Sequence, residues 1–203
     1  MDTIDTDPPK QRSDTQIAIL DAASRAFSSF GYQKTSLDDV ATDAGVSRQA
    51  IYVNFTNKRT LFQAAFEHEL ETNLRHASHA LQTHSMASTA LVEAFAIWHG
   101  QYIARGKRLR REGAAPPVQP SSSTFQLRRA RFVALITSYI EECEDVQMPE
   151  RAEVTSSDIT RTLLATSRGI ASFANDEAEF RQDFDIAIRA LLNLPPQSKG
   201  HRK

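Results

Sequence analysis

The chain has 203 residues, 40% hydrophobic and 24% charged, with a formal net charge of −1 and one cysteine. One cysteine excludes an internal disulfide framework, and a near-zero net charge argues against a general nucleic-acid coat. No apolar run is long enough to span a bilayer or form a signal-peptide core, so a soluble cytoplasmic protein is expected, with room for one small domain and one larger one. Charge is distributed unevenly: residues 10 to 60 carry seven Lys and Arg against five Asp, while residues 1 to 9 carry three Asp. Residues 1 to 13 read as a solvated tail. A first helix is expected from Gln16 to Phe30, with Ile17, Leu20, Ala23, Phe27 and Phe30 inward and Gly31 ending it. Ser36 and Asp39 have capping-box spacing, which starts a second helix at Leu37. Leu37, Val40, Ala41 and Ala44 then form one apolar stripe, and Gly45 supplies the left-handed stop. Val46 anchors the turn, and Ser47 caps a third helix in which Ile51 and Phe55 face inward. Arg48, Gln49, Ala50, Val53 and Asn54 are left outward. Two short helices across a glycine turn make a helix-turn-helix, whose second helix is shaped to enter a DNA groove.

After residue 58 helical periodicity persists without strand-like alternation, so the whole chain is expected to be all-α. Asn57 caps a long fourth helix through Leu61, Phe62, Ala65, Phe66, Leu70 and Leu74 to about Leu81. Leu91, Phe95, Trp98, His99 and Tyr102 mark a fifth. Residues 113 to 123, rich in Gly, Pro and Ser, read as a loop. Phe125, Arg128, Phe132, Leu135, Ile136 and Tyr139 mark a sixth helix, with a break at Pro149. The last two run from about Ser157 to Phe173 and from Phe180 to Leu194, before Pro195 and Pro196.

The segment ILDAASRAFSSFGYQKTSLDDVATDAGVSRQAIYVNFTNKRTLF resembles the TetR family of bacterial transcriptional regulators. The joint spacing of Phe27, Gly31, Tyr32, Thr35, Gly45, Tyr52, Phe55 and Lys58 carries the resemblance, which covers about residues 14 to 66. Thr56 stands where the family often has Pro, and Arg59 where it often has Glu. The resemblance implies a tail over 1–13, a helix-turn-helix domain over 14–58, a helical ligand-binding and dimerisation domain over 59–194, and a tail over 195–203. It implies base reading by Arg48, Gln49, Ala50 and Val53, and phosphate binding by Thr35, Ser36, Ser47, Tyr52, Asn54 and Lys58. One reading helix covers few base pairs, so a homodimer on a near-palindromic operator of double-stranded DNA follows. The last two helices would pair in that dimer, with Ala165, Ser167, Gly169, Ala171 and Ala174 permitting close approach. Members of the family usually release DNA when a small molecule binds the second domain. Phe66, Phe95, Trp98, His99, Tyr102, Phe125, Phe132, Tyr139 and Phe173 are the candidate pocket residues for a small hydrophobic effector, although aromatic residues at helical spacing equally suit a core. The expected role is a ligand-responsive repressor working at the bacterial nucleoid. The alternative is an architectural or protein-recruiting DNA binder without a ligand.

Other constellations carry less. The basic run Arg105, Lys107, Arg108, Arg110 and Arg111 suits a solvated helix end. His76 and His79 share a helix face, but no further ligand has matching spacing, so no metal site is expected, and no cofactor is. Gly-rich phosphate loops, a nucleophile elbow and paired cysteines are absent from the sequence, and Cys143, among Glu141, Glu142 and Glu144, is a poor nucleophile candidate. An enzyme is not expected.

Overall fold

The computed structural model describes residues 12–112, 123–146 and 153–194, and of residues 100–112 and 124 the backbone alone. Among the described residues there are eight helices and no strand. The chain forms two compact units that divide between Glu69 and Leu70. That division falls inside the fourth helix instead of at its start. The reason is visible in the first unit, where the opening turns of that helix supply core residues.

In the first unit, α1 (Asp14–Lys34) opens on Ser13, whose side chain accepts from the Gln16 amide while the Gln16 side chain accepts from the Ser13 amide. Ser13 and Arg12 are therefore engaged instead of belonging to a tail: Arg12 Nη1 lies 3.2 Å from His68 Nδ1. A guanidinium only donates, so Nδ1 accepts and Nε2–H faces Asp21 Oδ1 at 2.8 Å. The buried face of α1 is Ile19, Leu20, Ala22, Ala23, Ala26 and Phe27: Leu20, Ala23 and Phe27 face inward as expected, while Ile17 and Phe30 are exposed. Gly31 does not end the helix outright. It kinks it at φ 78°, ψ 164°, a backbone conformation open essentially to glycine alone, and helical turn resumes to Lys34. The kink turns the chain toward α2 (Leu37–Ala44), which packs on α1 and on α3 (Arg48–Asn54). α4 (Lys58–Thr83) begins under an Asn57 cap, whose Oδ1 accepts from the Thr60 amide at 3.0 Å. Its Phe62 meets Phe27 and Tyr32 edge-on, at centroid distances of 4.9 and 5.2 Å, and its Ala65 carbonyl accepts from Ser24.

The second unit holds the remainder of α4 with α5 (Ala87–Glu112), α6 (Ser123–Glu142), α7 (Ser156–Phe173) and α8 (Glu177–Leu192). α5 packs on α7 and α8, and α6 on α7. α7 starts where expected, under a Thr155 cap boxed with Asp158, whereas α8 starts before the expected Phe180 because the Asp176 cap precedes its first buried apolar residue. Asn193 closes α8 in the left-handed region. Phe95, Phe132, Phe180 and Phe184 are fully buried, and Trp98 stacks on Phe132 with centroids 4.3 Å apart. Ser167, Ala171 and Ala174 are buried within the unit, whereas Ala165 and Gly169 face solvent. Pro149, residues 113–122 of the loop expected over 113 to 123, and the segments 1–11 and 195–203 lie outside the described residues, as do the side chains of Tyr102 and the Arg105 to Arg111 run.

Candidate nucleic-acid interface

α3 is held in the first unit by one buried side chain, Ile51. Ser47 caps it, accepting from the Ala50 amide at 3.1 Å, and the turn before it depends on Gly45, left-handed at φ 66°, ψ 30°. α2 is fixed in the same way, with the Ser36 hydroxyl accepting from the Asp39 amide at 3.0 Å and donating to Asp39 Oδ2 at 2.6 Å. These local bonds orient α3 so that its other side chains face outward. Gln49 is exposed, Ala50 is half-buried, and Val53 is 80% exposed. Phe55 has left the helix as its C-cap and is only half-buried, so it secures α3 less than its spacing suggested.

Arg48 also lies on this face but is not idle. Its Nη1 donates to Asp38 Oδ2 at 2.8 Å and Oδ1 at 3.2 Å, and Nη2 donates to the Tyr52 hydroxyl at 3.3 Å. The guanidinium sits 5.7 Å from the Tyr52 ring centroid, within cation–π range. The Tyr52 hydrogen bond and the Asp38 charge both raise the guanidinium pKa further. Asp38 suits the N-terminus of α2 by sequence but is not among the candidate DNA-contacting residues. Nothing in the spacing could have found it, because the pair spans the turn between two helices.

The candidate phosphate binders separate. Lys58 lies at the start of α4, over the Tyr32 ring at 4.7 Å from its centroid, with Nζ donating to the Gln33 carbonyl at 3.3 Å. Burial lowers its pKa. Tyr52 is 46% exposed, and the Ser47 hydroxyl is on the surface. Asn54 Nδ2 donates to the Ala50 carbonyl at 2.8 Å, and Ser36 serves its capping box. Thr35 requires correction. It is 2% exposed, and its hydroxyl donates to the Gly31 carbonyl at 2.8 Å with the Ala26 carbonyl 3.2 Å away. A hydroxyl whose one proton is directed at main-chain carbonyls inside the fold is not available to a phosphate, so Thr35 braces the Gly31 kink instead.

The candidate pocket residues also separate. Phe95, Trp98, His99 and Phe132 are buried together in the second unit, joined by Phe180 and Phe184, which were not picked out as pocket residues. His99 Nε2 lies 2.9 Å from Ser167 Oγ, which donates to the Leu164 carbonyl. Burial, with a contribution from the Arg168 charge, pushes the His99 pKa down to about 4. Phe125 and Tyr139 on α6 are half-buried. Phe173 is 86% exposed and lines no interior, which removes it from the pocket. Phe66 belongs to the first unit.

Comparison with known proteins agrees with this geometry. Residues 19–65 match the family of bacterial regulatory proteins described as the tetR family. The HTH-type transcriptional regulator TtgR of Pseudomonas putida is 42% identical over 71 residues, 34% of each chain. The chain thus matches about a third of the length of such curated relatives. Likeness to solved structures extends further and concerns the fold. A protein described as a TetR-family transcriptional regulator from Mesorhizobium loti superposes with a TM-score of 0.61 at 20% identity, over 91% of this chain and 98% of that one. The regulator FadR from Bacillus subtilis, in complex with stearoyl-CoA, gives 0.60 at 16% identity, over 87% and 97%.

Proposed function

We propose, from the premise that this chain belongs to the TetR family through its N-terminal domain, that it is a ligand-responsive transcriptional repressor. It binds a near-palindromic operator as a homodimer and releases it when a small hydrophobic molecule enters the second unit. The observation that carries the DNA-binding part is the outward face of α3. Val53, at 80% exposure beside Gln49 and Arg48, is an apolar side chain that the fold leaves unburied on a helix with one core residue. Such a face suits a major groove, where Gln and Arg hydrogen-bond base edges and an apolar carbon meets a thymine methyl. Tyr52, Ser47 and Lys58 flank it with groups that can take phosphates.

Dimerisation is supported by solvent-facing positions on the last two helices. Thr162, Ala165, Gly169 and Phe173 recur along α7, and Gln182, Ile186 and Ala190 along α8, all exposed. Phe173 at 86% and Ile186 at 54% leave apolar area that a second copy would cover. For the effector, the aromatic interior around Phe95, Trp98 and Phe132 favours an apolar molecule, and one protein of like fold is complexed with stearoyl-CoA.

The test is selection of genomic fragments by the full chain, followed by a compound screen for release. One or a few palindromes beside promoters, with half-site centres about 34–36 Å apart or a multiple of that, are expected. Many dispersed sites would favour an architectural role, and no enriched sequence would overturn the reading.

A further inference from the structure

The pair formed by Arg48 and Asp38 serves neither the cap of α2 nor the core. Asp39, not Asp38, closes the α2 capping box. The side chains of Arg48 and Asp38 are 54% and 63% exposed, so solvent and salt screen their attraction and it adds little to stability. Its effect is on geometry. Arginine carries one of the largest rotamer entropies of any side chain, and an unsupported Arg48 would lose that freedom on meeting a base. Here Nη1 is committed to the Asp38 carboxylate and Nη2 gives one N–H to Tyr52, while the ring of Tyr52 limits the tilt of the guanidinium. Among the described residues, Nε–H and the second Nη2–H have no hydrogen-bond partner. Two donors are what a bidentate contact with guanine O6 and N7 requires.

Building on the DNA-binding reading above, we propose that Asp38 is a specificity-determining positioning residue, which together with Tyr52 holds Arg48 ready to read one guanine. Asp38 has a cost, since a carboxylate near DNA repels phosphates. Its contribution is therefore to selectivity and not to overall affinity.

The test uses the full-length chain, a random duplex library, and then single-base variants of the selected site. Arg48→Ala identifies the base pair that Arg48 reads. Asp38→Ala is expected to lower the preference for guanine at that pair by about fivefold, leave other positions unchanged, and hold or raise affinity for random duplex. On the Arg48→Ala background the same substitution should change no preference. Asp38→Asn keeps the shape and one acceptor oxygen, so it should give an intermediate preference; it also provides the measurement should Asp38→Ala fail to fold. A guanine preference that is unchanged or sharpened by Asp38→Ala overturns the proposal, because the carboxylate would then withhold Arg48 from DNA. Loss at positions that Arg48→Ala does not touch overturns it too. A chain that selects no sequence overturns the DNA-binding reading itself, whereas a selective chain indifferent to Asp38 overturns only this proposal.

Discussion

Thr35→Val removes one hydroxyl from a position 2% exposed and leaves the Gly31 and Ala26 carbonyls without that donor. The Thr35 amide still reaches the Gly31 carbonyl, so the expected cost is about 0.5–1.5 kcal/mol in urea unfolding, with no change in the salt dependence of DNA binding. A shallower salt slope would return Thr35 to the phosphate set. Lys58→Ala should behave in the opposite way, weakening every duplex and lowering the salt slope by about one, because a phosphate contact carries no sequence information. Gln49→Ala should instead alter base preference, and equal losses on all sequences for both variants would contradict these roles. Much of this face was legible residue by residue. The Ser36 and Asp39 box, the Ser47 cap and the left-handed Gly45 each depend on partners within four positions, so local sequence specifies them. Thr35 was misread because burial is a tertiary property, and its spacing from Gly31 says nothing of the Ala26 carbonyl.

Helix existence was easier to read than helix orientation. Periodicity located each helix in the described segments and put Leu20, Ala23 and Phe27 of α1 inward, yet the buried face is completed by Ile19, Ala22 and Ala26 instead of Ile17 and Phe30, because which flank of an apolar stripe is covered is decided by tertiary packing. Periodicity also finds the first apolar residue instead of the cap, so α8 begins three residues earlier than the expected Phe180. Between elements, the burial of His99 on α5, packed against Ser167 on α7 with the Arg168 charge nearby, sets a pH dependence. The ring is neutral in the fold, with its pKa down to about 4 from an ordinary 6.5, and it can protonate once unfolded. The unfolded state then binds more protons between those values, so stability present above about pH 6.5 is lost as pH falls toward about 4. His99→Gln should flatten that limb of the stability profile in denaturant titrations between pH 7 and 4, and an unchanged slope would show that other groups cause it.

At the scale of the whole molecule, Gly169→Leu separates folding from assembly. A Cβ at this position would meet nothing within 4 Å inside the subunit, and glycine in a helix interior costs about 0.5–1 kcal/mol relative to alanine. The variant subunit should therefore be no less stable. If α7 pairs with its two-fold mate, the bulkier side chain should shift sedimentation toward monomer and weaken operator binding. A fully dimeric variant would place the interface elsewhere. The fold class and the outward face of α3 were legible because they rest on periodicity and capping. The interior of the second unit was less so, because Phe173 and Phe132 look alike in sequence and only packing makes one 86% exposed and the other fully buried. The single anchor of α3 has a practical consequence. Gln49 and Val53 are exposed on a helix whose one buried side chain is Ile51, so both can be randomised with little penalty to folding: a library at those positions should yield folded variants and, on the DNA-binding reading proposed above, variants that select new duplex sequences.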